Sequence, residues 1–369
     1  MSNKPEEKMS EDIYKKLAKV LDTLPNGYPS TENGTEIKIL KIIFSPEEAD
    51  LFCNLRLTLE TAEQISARTG LQLEGLQEKL FSMWEKGQIF CVPLGDIKLY
   101  KMMPWVFGIY EFQLKFLTKE LVELCEEYMD SFGEPFFKAK PQLMTVVPVE
   151  EEIKNNQVAL PYEQVSAIIE SSKSFAVNDC VCRKEKELLG KRCDKPMEAC
   201  LALAPIPDYF KNTPPLNIRP ITKEEALEII KKSEEAGLVH MTSNIAGGHI
   251  YICNCCGCCC GVLGTITKFG ISNGVNSSYY AVINEEECVS CGVCADERCQ
   301  VNAIIDNDDV YNIEKEKCIG CGLCISTCPS EAISLVRKNE EDIVKPPKNE
   351  KEWFKMRGMQ RGVDFSPYE

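Results

Sequence analysis

Of the 21 cysteines in this 369-residue chain, 18 fall between residues 180 and 328, and only Cys53, Cys91 and Cys125 lie outside that window. Thiols so concentrated are either disulfide staples or metal ligands. A disulfide scaffold is typically a short secreted chain behind a signal peptide, whereas the N-terminus here, MSNKPEEKMSEDIYKKL, has no apolar h-region. The pattern therefore predicts metal ligation in a reducing, cytoplasmic compartment, with the three outlying cysteines as small buried hydrophobes. The most apolar stretch, residues 245–271, is interrupted by Gly, Cys and Asn, so no integral membrane segment is expected. A formal net charge of −15 disfavours nucleic acid and anionic lipid and favours partners with basic surfaces.

Residues 1–34 read as an amphipathic helix (Ile13, Leu17, Val20, Leu21, Leu24) followed by a turn-rich linker, PNGYPSTENG. Within residues 35–135, Ser45 and Pro46 open a first helix. Residues 61–69 and 71–86 give two more, stopped by Gly70 and Gly87, and residues 88–92 and 97–102 read as strands joined by a turn at 93–96. Three helices leading into a hairpin resemble a winged helix. The third helix carries Glu74, Glu78 and Glu85 against Lys79 and Lys86, so it lacks the phosphate-neutralising charge of a DNA-recognition helix. The module reads instead as a docking or dimerisation domain. Helical spacing continues over residues 103–134, with Phe107, Tyr110 and Phe112 as core aromatics.

The middle region, residues 136–277, offers a strand over 143–149 and helices over 161–172 and 222–236. The second of these has Thr222 as N-cap and Glu225 completing a capping box, and a further strand falls at 248–252. Residues 278–336 hold an internal repeat, and residues 337–369, with 8 basic and 7 acidic side chains, read as an extended charged tail.

The repeat carries the sharpest motif. Cys318, Cys321, Cys324, Cys328 and Pro329 form the run C-x2-C-x2-C-x3-C-P, and Cys288, Cys291, Cys294 and Cys299 form a first copy with four residues before its last cysteine and Gln300 in place of Pro. Thiolate is the soft donor that iron–sulfur clusters need, and Gly292, Gly320 and Gly322 permit close backbone approach. The segment resembles a bacterial dicluster ferredoxin domain. That resemblance implies two [4Fe-4S] clusters whose fourth ligands cross between runs, so that Cys288, Cys291, Cys294 and Cys328 would hold one and Cys318, Cys321, Cys324 and Cys299 the other.

Ten further cysteines precede the repeat. Cys180, Cys182, Cys193 and Cys200 make one constellation, crowded by Arg183, Lys184, Lys186, Lys191, Arg192 and Lys195. Cys253, Cys255, Cys256, Cys258, Cys259 and Cys260 place six thiols in eight residues. Adjacent cysteines do not all suit one cube, so some of this run should face a second site, such as that begun by Cys180 and Cys182. Ten thiols suffice for two [4Fe-4S] clusters, for one cluster plus zinc, or for a larger non-cubane cluster, and four cubanes in the whole chain is the central expectation. His240 and His249 flank this region and read as structural.

The fold class expected is α+β and multidomain: a winged-helix-like N-terminal module, a Cys-rich α/β middle domain and a C-terminal ferredoxin-like dicluster domain. Taken together, the C-V-C-R element continuing through C-D-K-P to Cys200, the I-C-N-C-C run and the terminal repeat resemble 4Fe-4S binding proteins of anaerobic bacteria and archaea. The resemblance implies redox work without fixing a substrate. No P-loop, G-x-G-x-x-G or G-x-S-x-G motif occurs. The function expected is electron relay to or from partner oxidoreductases, the chain acting as a homo-oligomer or as a subunit of a larger complex. The alternatives are an oxidoreductase with its own active-site cluster and a redox-sensing DNA-binding regulator.

Overall fold

The computed structural model describes residues 4–153, 159–211, 218–271, 274–308 and 310–369, and the chain divides into two compact units. Among the described residues no helix is long and apolar enough to cross a membrane.

The first unit takes in the chain up to residue 136 and the segment 354–369. Helix α1 (Lys4–Thr23) buries Leu17 and Leu21 and is followed by α2 (Thr35–Ile43). The expected N-cap at Ser45 forms as a complete capping box with Glu48 and opens α3 (Pro46–Phe52), and a second capping box, Thr61 with Gln64, opens α4 (Ala62–Thr69). Helix α5 (Leu76–Glu85) begins five residues later than the pattern suggested, because Gly75 at φ 74° turns the chain just before it. Strands β1 (Phe90–Leu94) and β2 (Ile97–Lys101) pair antiparallel with Leu94 opposite Ile97. The turn is therefore only Gly95 and Asp96, and Pro93 lies inside β1.

Three other expectations for this unit are corrected. The stretch PNGYPSTENG is a packed turn and not a linker: the Tyr28 hydroxyl donates to the Glu36 carbonyl at 2.8 Å and the Asn26 amide to that of Val106 at 2.7 Å, both buried. The helical spacing over residues 103–134 does not give one helix. After Pro104 the backbone leaves helical geometry at Val106, Phe107 and Gly108, makes a single turn, α6 (Tyr110–Phe112), and resumes as α7 (Lys119–Lys138). Nor is the tail extended. Residues Glu350–Arg361 form a helix in which Arg357 is buried over the Phe136 ring and Arg361 bonds the Asp22 carboxylate and the Leu24 carbonyl. Cationic side chains four residues apart thus stack on one helical face and dock it by hydrogen bonds. Cys91 is buried, Cys53 and Cys125 are half-buried, and burial pushes the Cys53 and Cys91 thiols up to about 12.

The second unit is built on an antiparallel six-stranded sheet. Its strands are β3 (Met144–Val147), β4 (Ser174–Asp179), β5 (Glu198–Ala204), β6 (Arg219–Ile221), β7 (Val239–Ser243) and β8 (Tyr251–Cys255), in the order β3-β7-β8-β5-β4-β6. Helices α8 (Val165–Glu170) and α10 (Lys223–Glu235) cover one face, where Val165, Ile168, Ile169, Ala226 and Ile230 pack on Val147, Phe175, Val177, Leu201, Leu203 and Ile252. Two more helices begin where strands end: α9 (Val181–Leu188) directly after β4, and α11 (Gly261–Phe269) shortly after β8.

The pattern misplaced three details here. The helix expected over 161–172 is a short turn, Pro161–Glu163, followed by α8. Thr222 caps α10 by accepting from the Glu225 N–H at 3.2 Å, but the Glu225 carboxylate does not return to it and instead takes a bond from Arg219 at 2.6 Å. The strand expected over 248–252 starts at Tyr251 and runs on to Cys255, so the cysteine run begins inside the sheet.

The C-terminal lobe of this unit repeats itself down to backbone angles. Strand β9 (Tyr279–Ile283) pairs antiparallel with β12 (Ile333–Arg337), and β10 (Ile304–Asn307) with β11 (Val310–Ile313). The Cys288 N–H bonds the Asn284 carbonyl as the Cys318 N–H bonds that of Glu314. Left-handed residues recur at Ser290 and Gly320, Gly292 and Gly322, and Asn302 and Glu331.

Candidate metal centres

The C-terminal lobe gathers its eight thiols into two groups. Cys288, Cys291 and Cys294 line one cleft together with Cys328, Pro329 and Tyr311. Cys299 lies instead in the electrostatic neighbourhood of Cys318, Cys321 and Cys324. The last cysteine of each run thus stands with the other run's first three. Burial pushes Cys294 up to about 11 and Cys321 up to about 12. Backbone N–H groups are already aimed at sulfur, from Ala281 to Cys318 at 3.4 Å and from Ala303 to Cys299 at 3.1 Å. Such bonds stabilise thiolate over thiol.

Residues 281–335 match a family model described as a 4Fe-4S dicluster domain. No curated protein matches the chain. The match covers the lobe alone, and the dicluster domain accounts for eight of the 18 clustered cysteines.

The other ten fall into two groups that differ from the sequence grouping. Six are linked by thiol–thiol contacts running Cys180–Cys182–Cys260–Cys255–Cys253–Cys200, with Cys200 returning to the field of Cys180 and Cys182. They come from four places in the chain. Cys200 and Cys253 sit directly opposite each other on β5 and β8, and alternation turns them, with Cys255, away from the Leu201–Ile252 face. Cys180 and Cys260 are the N-cap residues of α9 and α11, and Cys182 lies in the first turn of α9. Both helix N-termini therefore point partial positive charge at the group, a setting that favours thiolate. Cys253 and Cys260 each accept from two neighbouring thiols and are held low, Cys260 at about 5, while donation to them pushes Cys200 and Cys255 up.

Arg183 is fully buried beside this ring. Its guanidinium donates twice to the Asn254 carbonyl at 3.2 Å and once to the Cys256 sulfur at 3.7 Å. Among the described residues no carboxylate pairs with it, and the groups whose negative charge would stabilise it are the Cys180, Cys255 and Cys256 sulfurs. A guanidinium is always charged, and an uncompensated buried charge costs several kcal/mol, so this position requires thiolates around it. The other five basic residues of the motif were expected to crowd the thiols as well. Three pair with acids instead: Lys184 and Arg192 with Glu187, and Lys186 with Glu185. Lys195 donates to the Ala236 carbonyl.

The remaining four thiols, Cys193, Cys256, Cys258 and Cys259, lie within 4.8 Å of one another. Cys193 was grouped by sequence with Cys180, Cys182 and Cys200. The chain from α9 to β5 carries it away to the turn after β8, where it packs with Ala199, Leu238, Cys256 and Cys259. Asn254 stiffens the ground between the two thiol groups. Its side chain bonds the Ala199 carbonyl at 2.7 Å and the His240 ring at 2.5 Å, and His240 reaches Glu234 on its other side. His240 is thus satisfied within the scaffold. His249 meets the Thr242 hydroxyl at 3.2 Å, and burial lowers it to about 4.

Two residues that tie the dicluster domain to the sheet carried little signal in sequence. Arg298 is buried and donates to the carbonyls of Leu323, Glu234 and Glu235, the last two at the C-terminal end of α10 where a cation is favoured. Gln300, at the position where the second run has Pro329, accepts from the Gly257 N–H at 2.9 Å. A Cβ at Gly257 would overlap the Gln300 carbonyl. The irregular first run is therefore the docking edge of the domain.

Proposed function

We propose that the chain is an electron carrier in which the dicluster domain and a third iron–sulfur cluster, held by the six-thiol ring of the sheet, form a relay between a donor and an acceptor protein. The observation that carries this reading is the convergence of Cys180, Cys182, Cys200, Cys253, Cys255 and Cys260 around Arg183, in the same compact unit as the dicluster domain. The donor set fits the group: it is wholly sulfur, partly to fully buried, fed by two helix N-termini and balanced by one fixed cation. Iron–sulfur clusters supply reversible one-electron transfer without moving atoms far.

In this reading the ligands of the terminal pair are Cys288, Cys291, Cys294 and Cys328 for one cluster and Cys318, Cys321, Cys324 and Cys299 for the other. Arg183 offsets negative charge at the ring and so favours its reduced state, while Arg298 and Gln300 hold the domain at a fixed distance from the sheet. Exposed Val289 and Cys291 at the rim of the first cleft form the port to a partner, whose surface is basic to complement the net charge of −15. The three-helix and hairpin module of the first unit is read as a winged-helix-like docking domain, working in reducing cytoplasm.

Iron and acid-labile sulfide on anaerobically purified protein, with EPR of the reduced state, test the relay. About twelve irons per chain with three interacting signals is the expected result. About eight irons, with the ring cysteines titrating as free thiols, would confine electron transfer to the terminal domain and overturn it.

A further inference from the structure

The four thiols outside the ring have a geometry of their own. Cys259 stands 3.6 Å from Cys193, Cys193 3.9 Å from Cys256, and Cys258 3.8 Å from Cys259. Four sulfurs bound tetrahedrally to one zinc ion at about 2.3 Å are about 3.8 Å apart along each edge. The four thiolates of a cubane bind four different irons and are held apart by the width of the whole cluster. Adjacent residues Cys258 and Cys259 suit the first arrangement.

We propose that Cys193, Cys256, Cys258 and Cys259 bind a single zinc ion as a closed tetrathiolate. The donor set leaves no position for water or substrate, so the site is structural and each ligating thiol gives up its proton as the metal enters. Its charge is answered by the Arg183 guanidinium at Cys256, and Ala199, Ala236 and Leu238 shield its inner side. The ion joins two segments some sixty residues apart: the connection between α9 and β5, and the turn between β8 and α11. It thereby fixes Gly257, whose N–H holds Gln300 of the dicluster domain. The zinc thus adds a clip beside the six-thiol ring and the seat of the electron-transfer domain, both of which the hydrogen bonds of Asn254 and Arg298 also hold. The site is independent of what the ring holds.

The experiment is zinc and iron analysis of the full chain purified anaerobically, with zinc-edge X-ray absorption, on the parent and on Cys258→Ser and Cys193→Ser. The expected result is about one zinc per chain with four sulfurs at about 2.3 Å and no metal neighbour. Both variants lose zinc at least fivefold while iron and the EPR of the reduced clusters stay at the parent level. Because Cys258 is exposed, its variant keeps the test decidable if Cys193→Ser is insoluble. Zinc absent from the parent with iron near sixteen per chain, or zinc unchanged in Cys258→Ser, overturns the proposal. An iron count of eight with zinc present would defeat the three-cluster relay and leave this site standing.

Discussion

The dicluster domain and the Cys-rich sheet assemble sulfur in opposite ways. In the domain, three of each four thiols come from one short loop whose left-handed residues, Ser290 and Gly292 in one copy and Gly320 and Gly322 in the other, bend the chain around a centre. In the sheet, six thiols converge from two strands and two helix starts, and their neighbourhood exists only once β5 has paired with β8. A loop site is encoded locally, whereas a sheet site is a product of tertiary structure and needs a fixed charge, Arg183, to stabilise it. Ligation in the sheet should therefore fail all at once, and ligation in the domain piece by piece.

The sharpest break is Arg183→Met. Removing the buried cation leaves the ring thiolates uncompensated, and iron should fall from about twelve to about eight per chain while the EPR of the dicluster domain persists. Equal loss from both regions would show that they do not fold as separable sites. Next, Arg298→Ala removes three hydrogen bonds to buried carbonyls and should lower stability by about 4 kcal/mol in chemical denaturation, with iron content unchanged under native conditions. The two halves of the repeat can be set against each other. Gly320→Ala places a Cβ into the Tyr279 carbonyl at a positive φ and should cost about 3 kcal/mol, whereas Ser290→Gly at the matching position should change stability by less than about 1 kcal/mol.

A milder effect than Gly320→Ala is a pH dependence seated in the sheet. Burial holds His249 near 4, below its ordinary value of about 6.5, so the unfolded chain takes up a proton that the folded one refuses. Stability is full above about 6.5 and falls as the pH drops toward 4. Between pH 7 and pH 5 the loss should be about 2 kcal/mol, and His249→Gln should flatten the profile measured by thermal melting.

The same contrast explains what could be read from sequence. The run C-x2-C-x2-C-x3-C-P and its imperfect copy marked the dicluster domain because its chemistry is set by spacing within one loop. The N-cap at Ser45 was legible for a similar reason, its hydrogen bonds closing within four residues. Cys193 was assigned to the wrong companions because proximity in sequence does not measure proximity across a sheet. The apolar spacing over 103–134 misled because Pro104 and the left-handed Phe107 break the helix that periodicity alone would continue. The tail misled in the other direction: its balanced charge suggested solvation, but Arg357 and Arg361 spend that charge on buried carbonyls and on Asp22. Nothing local in Arg298 or Gln300 distinguished them from surface residues.

The buried Arg183 also bears on how the protein is made. A nascent sheet that closes over a permanent cation before its sulfurs are ionised confronts an unbalanced charge in a dry interior, so on the proposed reading closure should wait for metal delivery. When iron is scarce, this end of the sheet should stay open, its backbone within reach of proteases, while the first unit is already compact. On the proposed reading, quality control is written into one side chain: molecules lacking metal at the ring should remain recognisable and short-lived.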